Sequence, residues 1–339
     1  MVLPDRLPPA SESEAMLTTQ ETAQTRTFAD LFGAISANVQ QVIRGKHALI
    51  DLVVLCLVSE GHLLIEDVPG VGKTSLAKAV ARSLDCTFGR VQFTPDLLPS
   101  DVVGITVWNR QSGMFEFRPG AVFASILLGD EINRASPKTQ SALLEAMAEG
   151  QVTVDNTSYP LGPPFMVIAT QNPIEHEGTY PLPESQLDRF LMRVSVGYPD
   201  RNAEIDVLDT HGEGSNIDDL VPVASTADVL GLIRAVRTVH VAPSLKSYMV
   251  DLADATRRHP YLALGMSTRA TLSLQRVARA RAASLGRNYV IPDDIKALAQ
   301  PVLAHRLLVT PEAQLQGITS NDAVIDVLSQ VQVPTGAMP

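Results

Sequence analysis

Short apolar runs alternate with amphipathic stretches through the first 200 residues of the chain. The runs HLLIED, RVQFT, ASILLGDE and FMVIATQN are short and rich in aliphatic residues, which is typical of strands. The last two lack polar alternation, as expected for strands that are buried on both faces. Residues 73–84 and 138–150 instead carry apolar positions at helical spacing. Strands that alternate with helices predict an α/β fold with a parallel sheet covered by helices.

Two polar interruptions in this pattern predict β-hairpins. One is GITVWNRQSGMFEFRPG, with its turn at Ser112-Gly113, and the other is QVTVDNTSYPLG, with its turn at Asp155-Asn156.

The pattern divides the chain into three parts. Residues 1–26 are rich in Pro, Ser, Thr and Glu and predict a flexible tail. Residues 27–200 form the predicted α/β domain. Residues 201–335 carry long helical patterns such as SLKSYMVDLADATRR and almost no strand signal, and therefore predict a second, all-helical domain.

Composition and charge exclude several classes of protein. The chain has 339 residues and a formal net charge of −10. Because nucleic acid is itself negatively charged, we do not expect this protein to bind it. It contains no apolar run long enough to cross a membrane and begins without a signal pattern, so we expect no membrane insertion and a cytoplasmic location. Both cysteines are expected to be reduced core residues.

The stretch EDVPGVGKTSL, at residues 66–76, carries most of a phosphate-binding loop between a strand and a helix. Its backbone N–H groups can surround a nucleotide β-phosphate, Lys73 can reach the β and γ oxygens, and the Thr74 hydroxyl can bind Mg²⁺. Asp67 occupies the position of the first glycine, where Asp tolerates turn geometry. The predicted ligands of ATP in this loop are Pro69, Gly70, Val71, Gly72, Lys73, Thr74 and Ser75.

Polar residues end the two buried strands and predict the catalytic half of the site. Asp130 and Glu131 close ASILLGDE, where Asp130 would hold the metal and Glu131 would polarise the attacking water. Asn172 closes FMVIATQN and would orient this water if its strand lies between the other two. Gln171 could turn the same way, and a plain strand cap is a further alternative. Arg134 is either an interface charge or a partner in a helix-end salt bridge.

Four segments together resemble the MoxR family of AAA+ ATPases: EDVPGVGKTS, LLGDEINRASPKTQSALLEAMAEGQVTV, IATQNPIEHEGTYPLPESQLDRF and GMSTRA. The resemblance covers residues 28–330 and implies an AAA+ core with a helical lid. It implies that Arg189 is the arginine finger that reaches a neighbouring subunit, and that Arg269 is sensor two. More weakly, Ile43 and Gly45 in VIRGK match the segment that holds adenine.

The resemblance also implies a function. Members of the MoxR family form rings that use Mg²⁺ and ATP to remodel or mature other proteins in a chaperone-like role, and the ring is expected here to be a hexamer. Their partner is often a von Willebrand factor A-domain protein. The ATPase subunit of a metal chelatase is the alternative, followed by a DNA-remodelling motor and by a scaffold that binds nucleotide without hydrolysing it.

Overall fold

The computed structural model describes residues 27–334 except 69, 174–177, 199–200, 202–204 and 206–216. The predicted tail therefore lies outside the described residues. The helices are α1 (Phe28–Gln40), α2 (His47–Val58), α3 (Lys73–Ser83), α4 (Pro99–Val103), α5 (Pro137–Glu149), α6 (Glu184–Leu187), α7 (Thr226–Thr238), α8 (Pro243–Arg257), α9 (Thr268–Ser284), α10 (Pro292–Leu303), α11 (Pro311–Leu315) and α12 (Ser320–Gln330). The strands are β1 (Leu63–Glu66), β2 (Phe88–Gln92), β3 (Gly104–Asn109), β4 (Met114–Pro119), β5 (Ile126–Asp130), β6 (Gln151–Val154), β7 (Thr157–Pro160), β8 (Met166–Gln171), β9 (Met192–Val194), β10 (Leu262–Leu264) and β11 (Leu308–Val309).

Five parallel strands form the central sheet in the order β2-β5-β8-β1-β9. The four predicted strand runs are all in it, and the α/β prediction is confirmed. β8 lies between β5 and β1, so the carboxyl ends of the strands that carry Asn172, Asp130 and the phosphate loop are neighbours. This is the edge at which ligands bind in open α/β sheets.

The sheet separates two hydrophobic clusters because successive side chains of a strand point to opposite faces. Leu63, Ile65, Ile126 and Leu128 face the cluster that also contains α1, α2, α3 and the C-terminal helices. Leu64, Leu127 and Val167 face the cluster that contains α5. The C-terminal helices therefore pack into the same core as one face of the sheet.

Both predicted hairpins are present, as β3 with β4 and as β6 with β7. Asp155 and Asn156 both have positive φ, as a two-residue type I′ turn requires. Phe117 of β4 stacks on Tyr159 of β7 with 3.9 Å between ring centroids, which joins the two hairpins.

The C-terminal part, α7 to α12, is helical as predicted. It also contains a small antiparallel ribbon of β10 and β11, which its helical periodicity does not indicate. Within the described residues, no helix has the length and apolar character of a membrane span.

Candidate nucleotide-binding site

The phosphate loop has the backbone that its glycines allow. Gly70 and Gly72 have φ of 85° and 86°, a region that L-residues with side chains seldom adopt, and Gly72 is the N-cap of α3. Lys73 begins α3, is buried, and donates from Nζ to the Asp67 carbonyl oxygen at 2.9 Å. Val71, Thr74 and Ser75 are half-buried around it. Pro69 lies outside the described residues.

Asp67, the departure from the glycine pattern, has a structural role. Its carboxylate accepts hydrogen bonds from Ser195 Oγ at 2.8 Å and from Gly197 N at 2.6 Å, and also from Val68 N at 2.9 Å. Burial alone would raise the pKa of Asp67, but these hydrogen bonds outweigh it and lower the pKa below its ordinary value. Asp67 therefore fixes the entry of the phosphate loop to the segment that follows β9.

A cavity of about 660 Å³ lies beside this junction, within the usual size range of small-molecule sites. Its lining includes Gly45, His47 and Leu49 from the start of α2, Ser195 after β9, and Ala297 from α10. Gly45 lines this cavity, and its contact with a nucleoside stays a prediction. Ile43 packs against the hydrophobic core and is not among the described lining residues.

The acid pair lies at the end of β5 and is held in place by a hydroxyl group. Thr170 of β8 is fully buried, and its Oγ1 donates to Asp130 Oδ1 at 2.7 Å. Thr170 Oγ1 also accepts a hydrogen bond from the Glu131 backbone N–H at 2.9 Å. Glu131 has a φ of 57°, a strained value for a non-glycine residue, so the Thr170 hydroxyl stabilises both acids.

Three polar side chains meet the carboxylates of the acid pair. Arg90 of β2 forms a salt bridge with Asp130 Oδ2 at 2.9 Å. Gln92 of β2 donates to Glu131 Oε2 at 2.9 Å, and Arg134 forms a salt bridge with the same oxygen at 2.9 Å. Arg134 thus has the salt bridge that was one of its two expected roles.

Sequence reasoning did not identify Thr170, Arg90 or Gln92. Two signals were present: a polar residue inside a buried apolar run, and polar residues two apart in RVQFT, which share one face of a strand.

Asn172 directly follows β8 and is buried at the same end of the sheet as Asp130 and Lys73. The predicted assembly of Lys73, Thr74, the acid pair and Asn172 at one edge thus agrees with the strand order. Within the described residues, no three His, Cys, Asp or Glu side chains converge as a metal site. Mg²⁺ could be held by Thr74 and Asp130 only together with phosphate oxygens and water, which is the usual way this ion binds with nucleotides.

The two predicted arginines lie at the other end of the strands. Arg189 and Arg269 line one cavity of about 160 Å³, together with Glu60, Gly61 and Leu191. These three residues precede β1 and β9, whereas the phosphate loop follows β1. The four residues of β1 alone separate the two ends by roughly 13 Å. Arg189 and Arg269 therefore come together with each other and not with Lys73.

Comparison with known proteins agrees with this architecture. A model of the ATPase family associated with various cellular activities (AAA) matches residues 62–192, and a model of the AAA lid domain matches residues 254–327. A crystal structure of a candidate ATPase from Cytophaga hutchinsonii superposes with a TM-score of 0.85 at 39% identity, covering 91% of this chain and 96% of that one.

Several curated relatives match over most of their length, among them one from Bacillus subtilis and one from Mycobacterium tuberculosis. The chain is 48% identical to uncharacterized protein YeaC of Bacillus subtilis, over 90% of this chain and 95% of that protein. It is 40% identical to Chaperone MoxR1 of Mycobacterium tuberculosis, over 87% of this chain and 80% of that protein. With a phosphate loop, an acid pair and a helical lid in the arrangement described above, the chain belongs to the MoxR family of AAA+ ATPases.

Proposed function

We propose that the protein hydrolyses Mg-ATP at sites shared between neighbouring subunits of a ring. The observation that carries this proposal is the separation of the two halves of the site. Lys73, Asp130 and Glu131 lie at the carboxyl ends of the strands, and Arg189 and Arg269 lie at the amino ends. One subunit cannot bring both sets to one γ-phosphate, but two subunits packed head to tail can.

The roles of the residues follow from their chemistry. Lys73 and the N-terminus of α3 bind the phosphates, and Thr74 and Asp130 hold the Mg²⁺ that neutralises charge on the β and γ oxygens. Glu131 accepts hydrogen bonds from the attacking water, and Asn172 orients this water. Arg189 and Arg269 of the neighbouring subunit stabilise negative charge on the γ-phosphoryl group in the transition state.

Head-to-tail contacts close into rings when the rotation between subunits allows it, and we propose a hexamer. The proposed role is chaperone-like remodelling or maturation of a protein client, which agrees with the name of the mycobacterial relative. We further propose a von Willebrand factor A-domain protein as the partner. The metal-chelatase alternative has only distant sequence support.

The first test uses two substitutions that separate the halves of the site. Glu131→Gln subunits should bind ATP without turnover and still supply both arginines to a neighbour. Arg189→Ala subunits should bind ATP and keep a complete acid pair. Each variant alone should lose turnover by about 10³-fold or more. ATPase assays of an equimolar mixture should show partial recovery, and wild-type specific activity should rise with protein concentration.

The control for this test is Lys73→Ala, which should abolish ATP binding. In a mixture with Arg189→Ala, the Lys73→Ala subunits should hydrolyse nothing at their own sites. They should still restore turnover at the sites of neighbouring Arg189→Ala subunits, because they supply Arg189 to them. A mixture of Glu131→Gln and Arg189→Ala that stays inactive, with a specific activity independent of concentration, would mean that catalysis occurs within one subunit.

A further inference from the structure

Arg306 is a buried lid arginine; its Nε donates to His305 Nε2 at 3.3 Å, and its two terminal nitrogens contact one short segment of the α/β part. It ends the turn of residues 304–306 that follows α10, and its side chain is 3% exposed. Its Nη2 donates to the Phe190 carbonyl oxygen at 2.7 Å, and its Nη1 lies 3.4 Å from Asp188 Oδ1. One guanidinium therefore contacts both residues that flank Arg189.

The Arg189 side chain is itself held by a hydrogen bond. Its Nη1 donates to the Leu144 carbonyl oxygen in α5, at 2.7 Å. Arg306 contacts the Asp188 side chain on one side of Arg189 and the Phe190 backbone on the other, and α5 holds the end of the Arg189 side chain. The direction in which Arg189 points thus depends on a contact between the lid and the sheet.

Asp188 extends the same contact to the second arginine. Its Oδ2 lies 3.8 Å from Arg269 Nε, at the start of α9, while its Oδ1 faces Arg306. Arg269 is half-exposed and belongs to the lid, whereas Arg189 belongs to the α/β part. Asp188 therefore lies between two lid arginines and directly next to Arg189 in the chain.

An arginine suits this place better than a lysine. The planar guanidinium offers several donors in a fixed fork, so that one side chain can reach a carbonyl oxygen and a carboxylate together. Burial lowers the pKa of Arg306 to about 10, so the group stays cationic at neutral pH. A buried cation needs a close counter-charge, and Asp188 provides it.

We propose that Arg306 is a positioning residue, which acts through Asp188 and Phe190 to hold Arg189 and Arg269 in one orientation toward the neighbouring subunit's γ-phosphate. Arg306 does not touch the nucleotide itself. This inference rests on the proposed function, since it concerns the half of the site that serves the neighbour. It also links lid position to hydrolysis, because the lid contributes both Arg306 and Arg269.

The test measures ATP affinity and ATPase rate for Arg306→Gln. The substitution lies in the half of the site given to the neighbour, so the affinity of the variant for ATP, measured at a protein concentration too low for assembly, should equal that of wild type. Its turnover should fall by about 100-fold, the size of effect that roughly 1 Å of misplacement can produce. Arg306→Lys keeps the positive charge but loses the planar guanidinium, so its ATPase rate should lie between those of wild type and Arg306→Gln.

Complementation separates positioning from a purely structural role. A mixture of Arg306→Gln with Glu131→Gln should regain turnover, because the Glu131→Gln subunits supply well-oriented arginines. A mixture of Arg306→Gln with Arg189→Ala should not, since neither subunit supplies a correct finger.

The matched control is Arg287→Gln. Arg287 is another lid arginine, which donates to both carboxylate oxygens of Asp294 at 2.7 and 2.8 Å and does not line the cavity of Arg189. It should change stability and leave turnover near the wild-type rate.

Two results would overturn the inference. One is wild-type turnover of Arg306→Gln; the other is no recovery with Glu131→Gln while Arg189→Ala recovers with the same partner. If Arg189→Ala also fails to recover, the shared site itself is wrong. If Arg306→Gln does not fold, Arg306→Lys enters the same mixtures, and an unchanged rate for it would overturn the inference.

Discussion

Replacing Asp67 by glycine restores the usual phosphate-loop pattern, yet the structure predicts that this substitution destabilises the folded protein. The Asp67 carboxylate accepts three hydrogen bonds, which tie the loop to the segment after β9. Hydrogen bonds to charged groups contribute about 1.5–3 kcal/mol each when buried. Ser195 is exposed and Gly197 is half-buried, so water replaces part of this loss. We expect Asp67→Gly to lower the free energy of unfolding by about 2–3 kcal/mol, including the added freedom of glycine in the unfolded chain.

Denaturant titration followed by far-UV circular dichroism measures this difference, and ATP titration measures the site. Asp67→Asn is the matched control, because it keeps the shape and one accepting oxygen but loses the charge, and its loss should be smaller. Asp67→Gly should also not bind ATP more tightly than wild type. An unchanged or higher midpoint of unfolding for Asp67→Gly would refute the reasoning.

The pH dependence of this effect has a definite sign. The folded-state pKa of Asp67 lies below its ordinary value of 3.8, so the stabilisation is fully present above that pH. It is lost as the pH falls through the folded-state pKa. The difference between wild type and Asp67→Asn should therefore be constant near neutrality and shrink below about pH 4.

Three further predictions follow from the contacts described above. Thr170→Val should lower turnover by about 10- to 100-fold through the unsatisfied acid pair, with ATP affinity unchanged and Thr170→Ser near wild type in ATPase assays. Burial lowers the pKa of His62 to about 4, so this group should contribute a loss of about 3 kcal/mol of stability between pH 6.5 and 4. His62→Gln should remove this part of the loss from the unfolding profile, and the part due to buried His305, whose pKa is also lowered, should remain. Phe117→Ala removes the stack on Tyr159 and should speed tryptic cleavage of the β3–β4 turn without changing ATP affinity.

The elements that local patterns govern were predictable from the sequence. The phosphate loop, the acid pair and the strand of Asn172 each combine an apolar run with polar residues that directly follow it in the chain. The order of the strands then brings them together. Hairpin turns were predictable for the same reason, since Asp155, Asn156 and Gly113 all adopt positive φ.

The contacts between distant segments were not predictable. Asp67 meets Gly197 across 130 residues, and Arg306 meets Phe190 across 116. A hydrogen bond of this kind leaves no periodic signal in either segment, because each partner is a single polar residue in its own surroundings. Arg189 and Arg269 were assigned by resemblance alone, and only the folded chain shows that they share one cavity.

The separation of the two halves of the site has a thermodynamic consequence. If one nucleotide contacts two subunits, its binding and their association share a single coupling free energy. If bound ATP raises the association constant of two subunits by some factor, association raises their affinity for ATP by the same factor. Dilution should then weaken nucleotide binding, and saturating nucleotide should lower the protein concentration at which rings form. The fraction of subunits that are assembled would thus depend on the concentration of ATP, even before any phosphate is released.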